Sequence, residues 1–113
     1  LHEGPVGLVV IDVDHFKRYN DRAGHAAGDD CLRAVGAALA AAVRDGELAA
    51  RPGGEEFAVL LPGADADHAA RRAEAFHRAI GALALPHPDS PTAPIVTASV
   101  GHACAAQAGS AQD

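Results

Sequence analysis

A glycine pair between two short apolar runs is the feature that most constrains this chain. Residues 47–50 and 58–61 flank Arg51-Pro-Gly-Gly-Glu-Glu-Phe57, and this pattern predicts a β-hairpin with a two-residue turn. Glycine suits such a turn because the favoured turn types need positive φ. Glu55 and Glu56 follow the turn, although no folding rule asks for two adjacent carboxylates. In a strand they point to opposite faces, so at most one can serve a given site.

A second acidic group ends the first predicted strand. Residues 6–12 form an apolar run that predicts a buried central strand, and Asp12 and Asp14 share one face by the two-residue period. Asp14 has an alternative role as the N-cap of the next helix. Carboxylates at a strand end and beside a glycine turn are ligands that suit Mg²⁺ or Mn²⁺.

Helical periodicity predicts three helices, over residues 15–22, 29–43 and 65–83. Residues 24–28 are predicted to form a loop, and residues 85–94, with four prolines, a surface loop. The last strand is predicted at residues 95–101, extending to Cys104. The order strand, two helices, hairpin, helix, strand predicts an α+β sandwich with helices packed on an antiparallel sheet, ferredoxin-like or polymerase-palm-like. Asp12 and Glu55 would then converge at one sheet edge.

This arrangement favours chemistry on phosphates. Backbone amides at the start of the helix after Asp14 offer a phosphate seat, which Lys17 reinforces. Together with a metal at the carboxylates, they predict phosphoryl transfer by positioning and charge neutralisation. We expect a solvated helix face from Arg71, Arg72 and Arg78, a surface position for His87, and buried thiols at Cys31 and Cys104.

Length and charge limit the other function classes. The 113 residues predict one domain, over residues 1–104, with a loose tail over residues 105–113. The net charge of −6 argues against a general nucleic-acid binder, but a divalent cation can still bridge carboxylates to a nucleotide. We expect a cytoplasmic location, with no membrane contact by this segment. The chain begins at Leu1 rather than Met, so we expect a piece of a longer protein, with a fused sensory or regulatory domain and a possible membrane anchor.

Several motifs, in register, resemble one family. Gly53-Gly-Glu-Glu-Phe57 resembles the signature of GGDEF domains, the bacterial diguanylate cyclases, in its GGEEF form. Ile11-Asp-Val-Asp-His-Phe-Lys17, Tyr19-Asn-Asp21 and Gly24-His-Ala-Ala-Gly-Asp29 resemble the family's other active-site blocks, in the expected order. Val96-Thr-Ala-Ser-Val-Gly101 fits its last strand. The resemblance covers nearly the whole chain.

The resemblance implies condensation of two GTP into cyclic di-GMP, with release of two pyrophosphates. It implies a homodimer, because each domain holds one GTP and the reaction needs two domains face to face. The metal, Mg²⁺ or Mn²⁺, would be bound by Asp12, the Val13 carbonyl and Glu55. Glu55 or Glu56 would help deprotonate the attacking 3′-hydroxyl, and the choice between them stays open. The implied GTP-binding residues are His15, Phe16, Lys17, Asn20, His25, Asp29, Gly53 and Gly54.

Three departures from the family pattern leave an alternative open. Pro52 stands where the family has an aromatic residue, and it removes an N–H from the hairpin. Arg44-Asp-Gly-Glu47 replaces the Arg-x-x-Asp of the inhibitory product site, whose function we expect to be weakened. The family's first and last helices have no counterpart in the sequence. The alternative function is a catalytically degenerate domain that binds GTP or cyclic di-GMP as a regulatory module. Another palm-type nucleotidyl cyclase or polymerase is a third candidate. The resemblance argues against it, because it implies that Asn20 and Asp29 hydrogen-bond the guanine edge.

Overall fold

The computed structural model describes residues 4–105 and confirms the predicted α+β architecture. Its four strands form one antiparallel sheet in the order β2-β3-β1-β4. The elements, in chain order, are β1 (Val6–Val13), α1 (Phe16–Ala23), α2 (His25–Ala42), β2 (Leu48–Ala50), β3 (Glu56–Pro62), α3 (Ala66–Gly81) and β4 (Ala98–Ala105). Of the predicted tail, residues 106–113 lie outside the described residues.

The core lies on one face of the sheet. Alternate residues of β1 are buried, and Val9, Ile11 and Val13 are at most 3% exposed. The inward faces of α2 and α3 complete this layer, with Val35 and Phe76 fully buried. β1 is therefore central, as predicted, and the alternation follows from the two-residue period of a strand.

The opposite face of the sheet is open in residues 4–105. Val10, Leu48 and Leu60 are 48%, 59% and 43% exposed there, so the prediction that β1 is buried on both faces is wrong. An antiparallel sheet can leave one face uncovered. The predicted metal ligands Asp12 and Glu55 lie near the carboxyl end of β1.

The predicted loop over residues 24–28 is wrong, since α2 begins at His25. Gly24 turns the chain in a single residue, with φ 95° and ψ 159°, which glycine adopts without steric cost. The N–H of Gly28 already donates to the carbonyl of Gly24 at 3.0 Å. The two helices are therefore almost continuous in sequence.

The prediction of a two-residue hairpin turn is also wrong. β2 ends at Ala50 and β3 begins at Glu56, so residues 51–55 connect them and neither Gly53 nor Gly54 has a positive φ. A longer connection does not need a mirror-image turn. An added Cβ at position 53 would lie 2.8 Å from Glu56 Oε1, but that atom ends a flexible, exposed side chain that can move away.

The helix cap and the last strand show how the chain ends its elements. Asp65 caps α3 as predicted, accepting from the N–H of His68 at 2.9 Å. β4 begins at Ala98, three residues later than predicted. The preceding residues pair instead with the beginning of the α3–β4 connection, where Pro86 bridges Ile95 and the N–H of Val96 donates to the Leu85 carbonyl at 2.7 Å.

Candidate active site

Asp12 and Glu55 line one cleft at the carboxyl end of β1, as the predicted topology required. The backbone brings them together, since the N–H of Val13 donates to the carbonyl of Glu55 at 3.4 Å. The cleft has a volume of about 310 Å³, and its other lining residues are Val13, Asp14, His15, Phe16, Lys17 and Ser99.

Glu56 occupies a different position from Glu55. It lies directly opposite Asp12 in the β1–β3 pair and, with Asp12 and Pro52, lines a second, more apolar cleft on the open face of the sheet. The two glutamates therefore serve different clefts, as the strand period indicates. Asp12 belongs to both.

The three carboxylates at this edge lack a cationic partner. Asp12, Glu55 and Glu56 are exposed, and none of them takes part in an ion pair among residues 4–105. Like charges opposite each other in a sheet repel. The arrangement therefore favours a cation.

The donor set fits a hard divalent cation that also has other ligands. No group of three or more His, Cys, Asp or Glu side chains in residues 4–105 could hold a metal by itself. Mg²⁺ is commonly held by one or two carboxylates together with substrate phosphates and water. Two carboxylates and a nearby backbone carbonyl are consistent with that pattern.

The turn between β1 and α1 lines the cleft with the residues that begin a helix. His15, at the N-cap, is in the left-handed region with φ 54° and ψ 37°, and among the described residues no side chain caps α1. The first N–H groups of a helix have no partner within the helix. Lys17 is 87% exposed beside them and pairs with Asp21 at 2.9 Å.

Asp14 does not cap α1, so that alternative is wrong. Its carboxylate accepts from the hydroxyls of Thr97, at 2.7 Å, and Ser99, and its N–H donates to the Thr97 carbonyl at 2.9 Å. These bonds fasten the turn to β4. The sequence analysis missed Thr97 and Ser99, although two hydroxyls at alternate positions of one strand share a face and could have indicated this contact.

Asn20 lies on α1 and packs against Gly28, the neighbour of Asp29 on α2, across the groove between these two helices. The Oδ1 atom of Asn20 is buried and has no hydrogen-bond partner among residues 4–105. An added Cβ on Gly28 would lie 1.7 Å from that oxygen, so glycine makes room for the amide. Asp29 follows Gly28 and is exposed, as is His25 at the start of α2. The groove thus contains an enclosed amide oxygen and an exposed carboxylate.

The Arg44 and Glu47 pair lies in a closed turn. The carboxylate of Glu47 accepts from Arg72 at 2.7 Å and 2.8 Å, and from the N–H of Arg44 at 3.0 Å. The side chains of Arg72 and Glu47 are 5% and 8% exposed, and Arg72 also donates to the Ala42 carbonyl at 2.8 Å. The prediction that Arg72 belongs to a solvated face is therefore wrong.

Burial alone raises the pKa of Glu47, but its hydrogen bonds from Arg72 and Arg44 and their positive charges outweigh that effect. The net result is a pKa below the usual range for a glutamate. The ionised form of Glu47 is thus favoured in the folded chain.

Two further expectations need correction. His87 is 6% exposed rather than a surface residue. Cys104 is exposed, whereas Cys31 is buried as expected, and burial raises the pKa of the Cys31 thiol. Neither cysteine lines the cleft of Asp12 and Glu55.

The fold and this edge of the sheet define a palm-like domain with an acidic strand end beside an amide-lined turn. The profile of the family described as "Diguanylate cyclase, GGDEF domain" matches residues 1–113. The chain belongs to the GGDEF family, as its motifs indicated.

Named relatives and solved structures agree. The diguanylate cyclase VdcA of Vibrio cholerae is 42% identical over 86 residues, which cover 75% of this chain and 25% of VdcA. The GGDEF domain of DgcB from Caulobacter crescentus, solved with c-di-GMP, has a TM-score of 0.77 and 31% identity, over 90% of this chain and 60% of that one. The active GGEEF domain of a diguanylate cyclase from Vibrio cholerae has a TM-score of 0.73 and 26% identity, over 91% and 64%.

The chain spans a quarter or less of the length of the first curated relatives that it matches. Among residues 4–105, no helix is long and apolar enough to cross a membrane.

Proposed function

We propose that this chain is the catalytic domain of a diguanylate cyclase, which condenses two GTP into cyclic di-GMP and releases two pyrophosphates. The observation that carries the proposal is the single cleft shared by Asp12, Glu55 and the β1–α1 turn. In a metal–triphosphate complex, the carboxylates would bind the metal cation, and the backbone amides at the start of α1 would bind the phosphates.

Asp12, Glu55 and the Val13 carbonyl would hold Mg²⁺ or Mn²⁺. The metal, when bound, neutralises phosphate charge and polarises the phosphorus–oxygen bonds. Lys17 and the amides of His15 and Phe16 bind the β- and γ-phosphates, which the helix dipole of α1 also favours.

Guanine is the base proposed for the α1–α2 groove. The edge of guanine offers both donors and an acceptor, which the Asn20 amide and the Asp29 carboxylate can match. The unpartnered Oδ1 of Asn20 supports this assignment, because a buried polar atom without a partner is costly until a ligand or water supplies one. His25 contributes at the groove entrance, and Gly53 and Gly54 let the nucleotide lie close to the loop backbone.

In the proposed reaction, the 3′-oxygen of one GTP attacks the α-phosphorus of the other. The bond from that phosphorus to the pyrophosphate oxygen breaks, and the hydroxyl proton passes to a carboxylate. Glu55 and Glu56 are both candidates, since each neighbours Asp12 from a different cleft. A second, equivalent step closes the ring. Because each copy binds one GTP, the active species is a homodimer with the two clefts face to face.

Product inhibition at Arg44 and Glu47 is proposed to be weak. The Glu47 carboxylate already accepts three hydrogen bonds within the chain, and its side chain is 8% exposed, so little of it is open to a guanine. The larger parent protein would add sensory or regulatory domains, since its relatives are several times longer, and would present this domain to cytoplasmic GTP.

Chromatography of the products formed from GTP and Mg²⁺, at a chain concentration that favours dimers, tests the proposal. Glu55→Gln and Glu56→Gln are compared with Glu74→Gln, which changes an exposed glutamate on α3. We expect cyclic di-GMP from the wild type and Glu74→Gln and none from Glu55→Gln. Retained GTP binding with no product from the wild type would contradict the proposal and favour the regulatory alternative.

A further inference from the structure

We propose that His87 is a positioning residue, which holds the β1–α1 turn in the shape that binds the nucleotide phosphates. The proposal rests on the proposed function, because it assigns a task to a residue near the same site. His87 lies in the α3–β4 connection, 72 residues from the turn that it contacts, and it is 6% exposed.

The turn needs an external support. His15 has φ 54° and ψ 37°, a conformation that residues with a Cβ rarely adopt. Such a conformation persists only when its surroundings fix it, and it clusters at ligand sites. No side chain of the described residues caps α1 at this point.

His87 supplies that support through a hydrogen bond. Its Nε2 atom lies 3.0 Å from the carbonyl oxygen of His15. Its Nδ1 atom accepts the N–H of Asp89 at 3.1 Å, so we assign the ring proton to Nε2. Nε2 is therefore the donor, and the carbonyl of His15 accepts from both His87 and the N–H of Tyr19, at 3.1 Å.

The imidazole is itself held in place. The backbone N–H of His87 donates to the Pro94 carbonyl at 2.9 Å. Tyr19 packs edge-on against the imidazole ring, with 5.2 Å between the ring centroids. Arg18 donates to the Asp89 carbonyl at 2.9 Å, which ties the connection to α1. The ring can therefore act as a fixed donor rather than a mobile one.

The contact reaches the ligand through one planar peptide. The carbonyl of His15 and the N–H of Phe16 belong to the same peptide unit, whose atoms lie in a plane. A donor that fixes the carbonyl therefore also fixes the direction of the N–H. Asp14 anchors the other side of the turn through Thr97 and Ser99. Both anchors leave the phosphate-facing N–H groups free.

Loss of this hydrogen bond should change the affinity for GTP and the affinity for guanosine differently. Loss of the Nε2 donor would let the His15–Phe16 peptide rotate and so misdirect a phosphate ligand, while the α1–α2 groove that contains Asn20 would stay intact. GTP binding should then weaken, and guanosine binding should not.

Titration calorimetry of GTP and of guanosine, at a low chain concentration that prevents turnover, tests this inference. His87→Phe keeps a ring beside Tyr19 but has no donor, and His87→Gln keeps an N–H donor near the position of Nε2. Asp89→Ala is the matched control, since it keeps the N–H that His87 accepts. We expect His87→Phe to weaken GTP binding about tenfold, with guanosine affinity changed less than about twofold, and His87→Gln to recover most of the loss.

Equal loss for GTP and guanosine, or no loss for either, would overturn the inference while leaving the proposed function intact. A wild-type chain that binds no GTP would instead overturn the proposed function. ¹⁵N NMR of the unmodified chain tests the assignment without any variant. A protonated Nε2 and an unprotonated Nδ1 on His87 support the donor role, and the opposite tautomer contradicts it.

Discussion

Two turns of this domain are each closed by a side chain from far along the sequence, but with opposite chemistry. The α2–β2 turn is closed by Glu47 and Arg72, a buried ion pair that also bonds to the chain's own backbone at Arg44 and Ala42. The β1–α1 turn is fixed by His87 and by the Asp14 bonds to Thr97 and Ser99, and residues 15–17 line an open cleft.

The difference indicates which turn is available to a ligand. A buried ion pair whose two groups bind each other stabilises its loop and offers few hydrogen-bonding groups to a nucleotide. A turn supported by neutral donors and by a distant strand keeps its own donors free. Under the proposed function, the β1–α1 turn would bind the substrate, whereas Glu47 would stabilise its own turn rather than bind the product.

The largest expected effect comes from breaking the saturated turn. Arg72→Ala leaves the carboxylate of Glu47 buried without its partner, which should lower the free energy of unfolding by about 3–5 kcal/mol. Arg71→Ala, at an exposed neighbouring position, should change it by less than about 0.5 kcal/mol. Urea denaturation measures both.

Replacing both residues of the Glu47–Arg72 ion pair tests whether an unpaired buried charge causes the loss of stability. Glu47→Leu combined with Arg72→Met removes the two charges together and should cost far less than Arg72→Ala alone. If the double variant is as unstable as Arg72→Ala, the ion pair does not explain the stability of this turn.

A smaller effect is expected at the turn that faces the ligand. Asp14→Ala removes acceptors for two hydroxyls, and should lower the free energy of unfolding by about 1–3 kcal/mol together with kcat/KM.

Asp12→Ala should abolish activity without loss of stability, because it removes a carboxylate opposite Glu56. Thermal unfolding and cyclase assays on both variants would contradict this account if Asp12→Ala were the less stable.

The pH dependence of stability provides a third prediction. The pKa of Glu47 is lower in the folded chain than its ordinary value of 4.5. Its contribution to stability is therefore fully present above pH 4.5, and is lost as the pH falls through the lower folded pKa. Acid titration of the unfolding free energy should show this decline, and Glu47→Gln should reduce it. An identical acid profile in Glu47→Gln would contradict the assignment.

The smallest effect is expected at the surface pair of Lys17 and Asp21, which are 87% and 63% exposed. Asp21→Asn should change stability by less than about 0.5 kcal/mol. It should strengthen GTP binding slightly, because Lys17 loses a competing anion. The change in affinity should shrink at high salt, and a large stability change in urea would contradict the prediction.

The sequence predicted the parts of the fold and site that depend on local pattern. The element order, the carboxylate at the end of β1 and the cap at Asp65 follow from periodicity and residue type. The missed contacts join residues that are 25, 72 and 83 positions apart, Glu47 with Arg72, His15 with His87 and Asp14 with Thr97. No local pattern pairs such residues.

Arg72 is an exception, since a local signal was present. It falls on the same helical face as Ala69, Ala73 and Phe76, which are buried, so the 3.6-residue period placed it toward the core. A charged residue on that face requires a partner of opposite charge. The helical period does not indicate that this partner is Glu47, which stands 25 residues earlier.

The most direct test of the central claim is an NMR titration that follows the backbone amides of both turns. Addition of GTP with Mg²⁺ should shift the amides of residues 15–17 and leave residues 44–47 unchanged, and cyclic di-GMP should leave residues 44–47 unchanged as well. Shifts confined to residues 44–47, with residues 15–17 unaffected by GTP, would contradict the claim that the β1–α1 turn is the nucleotide site.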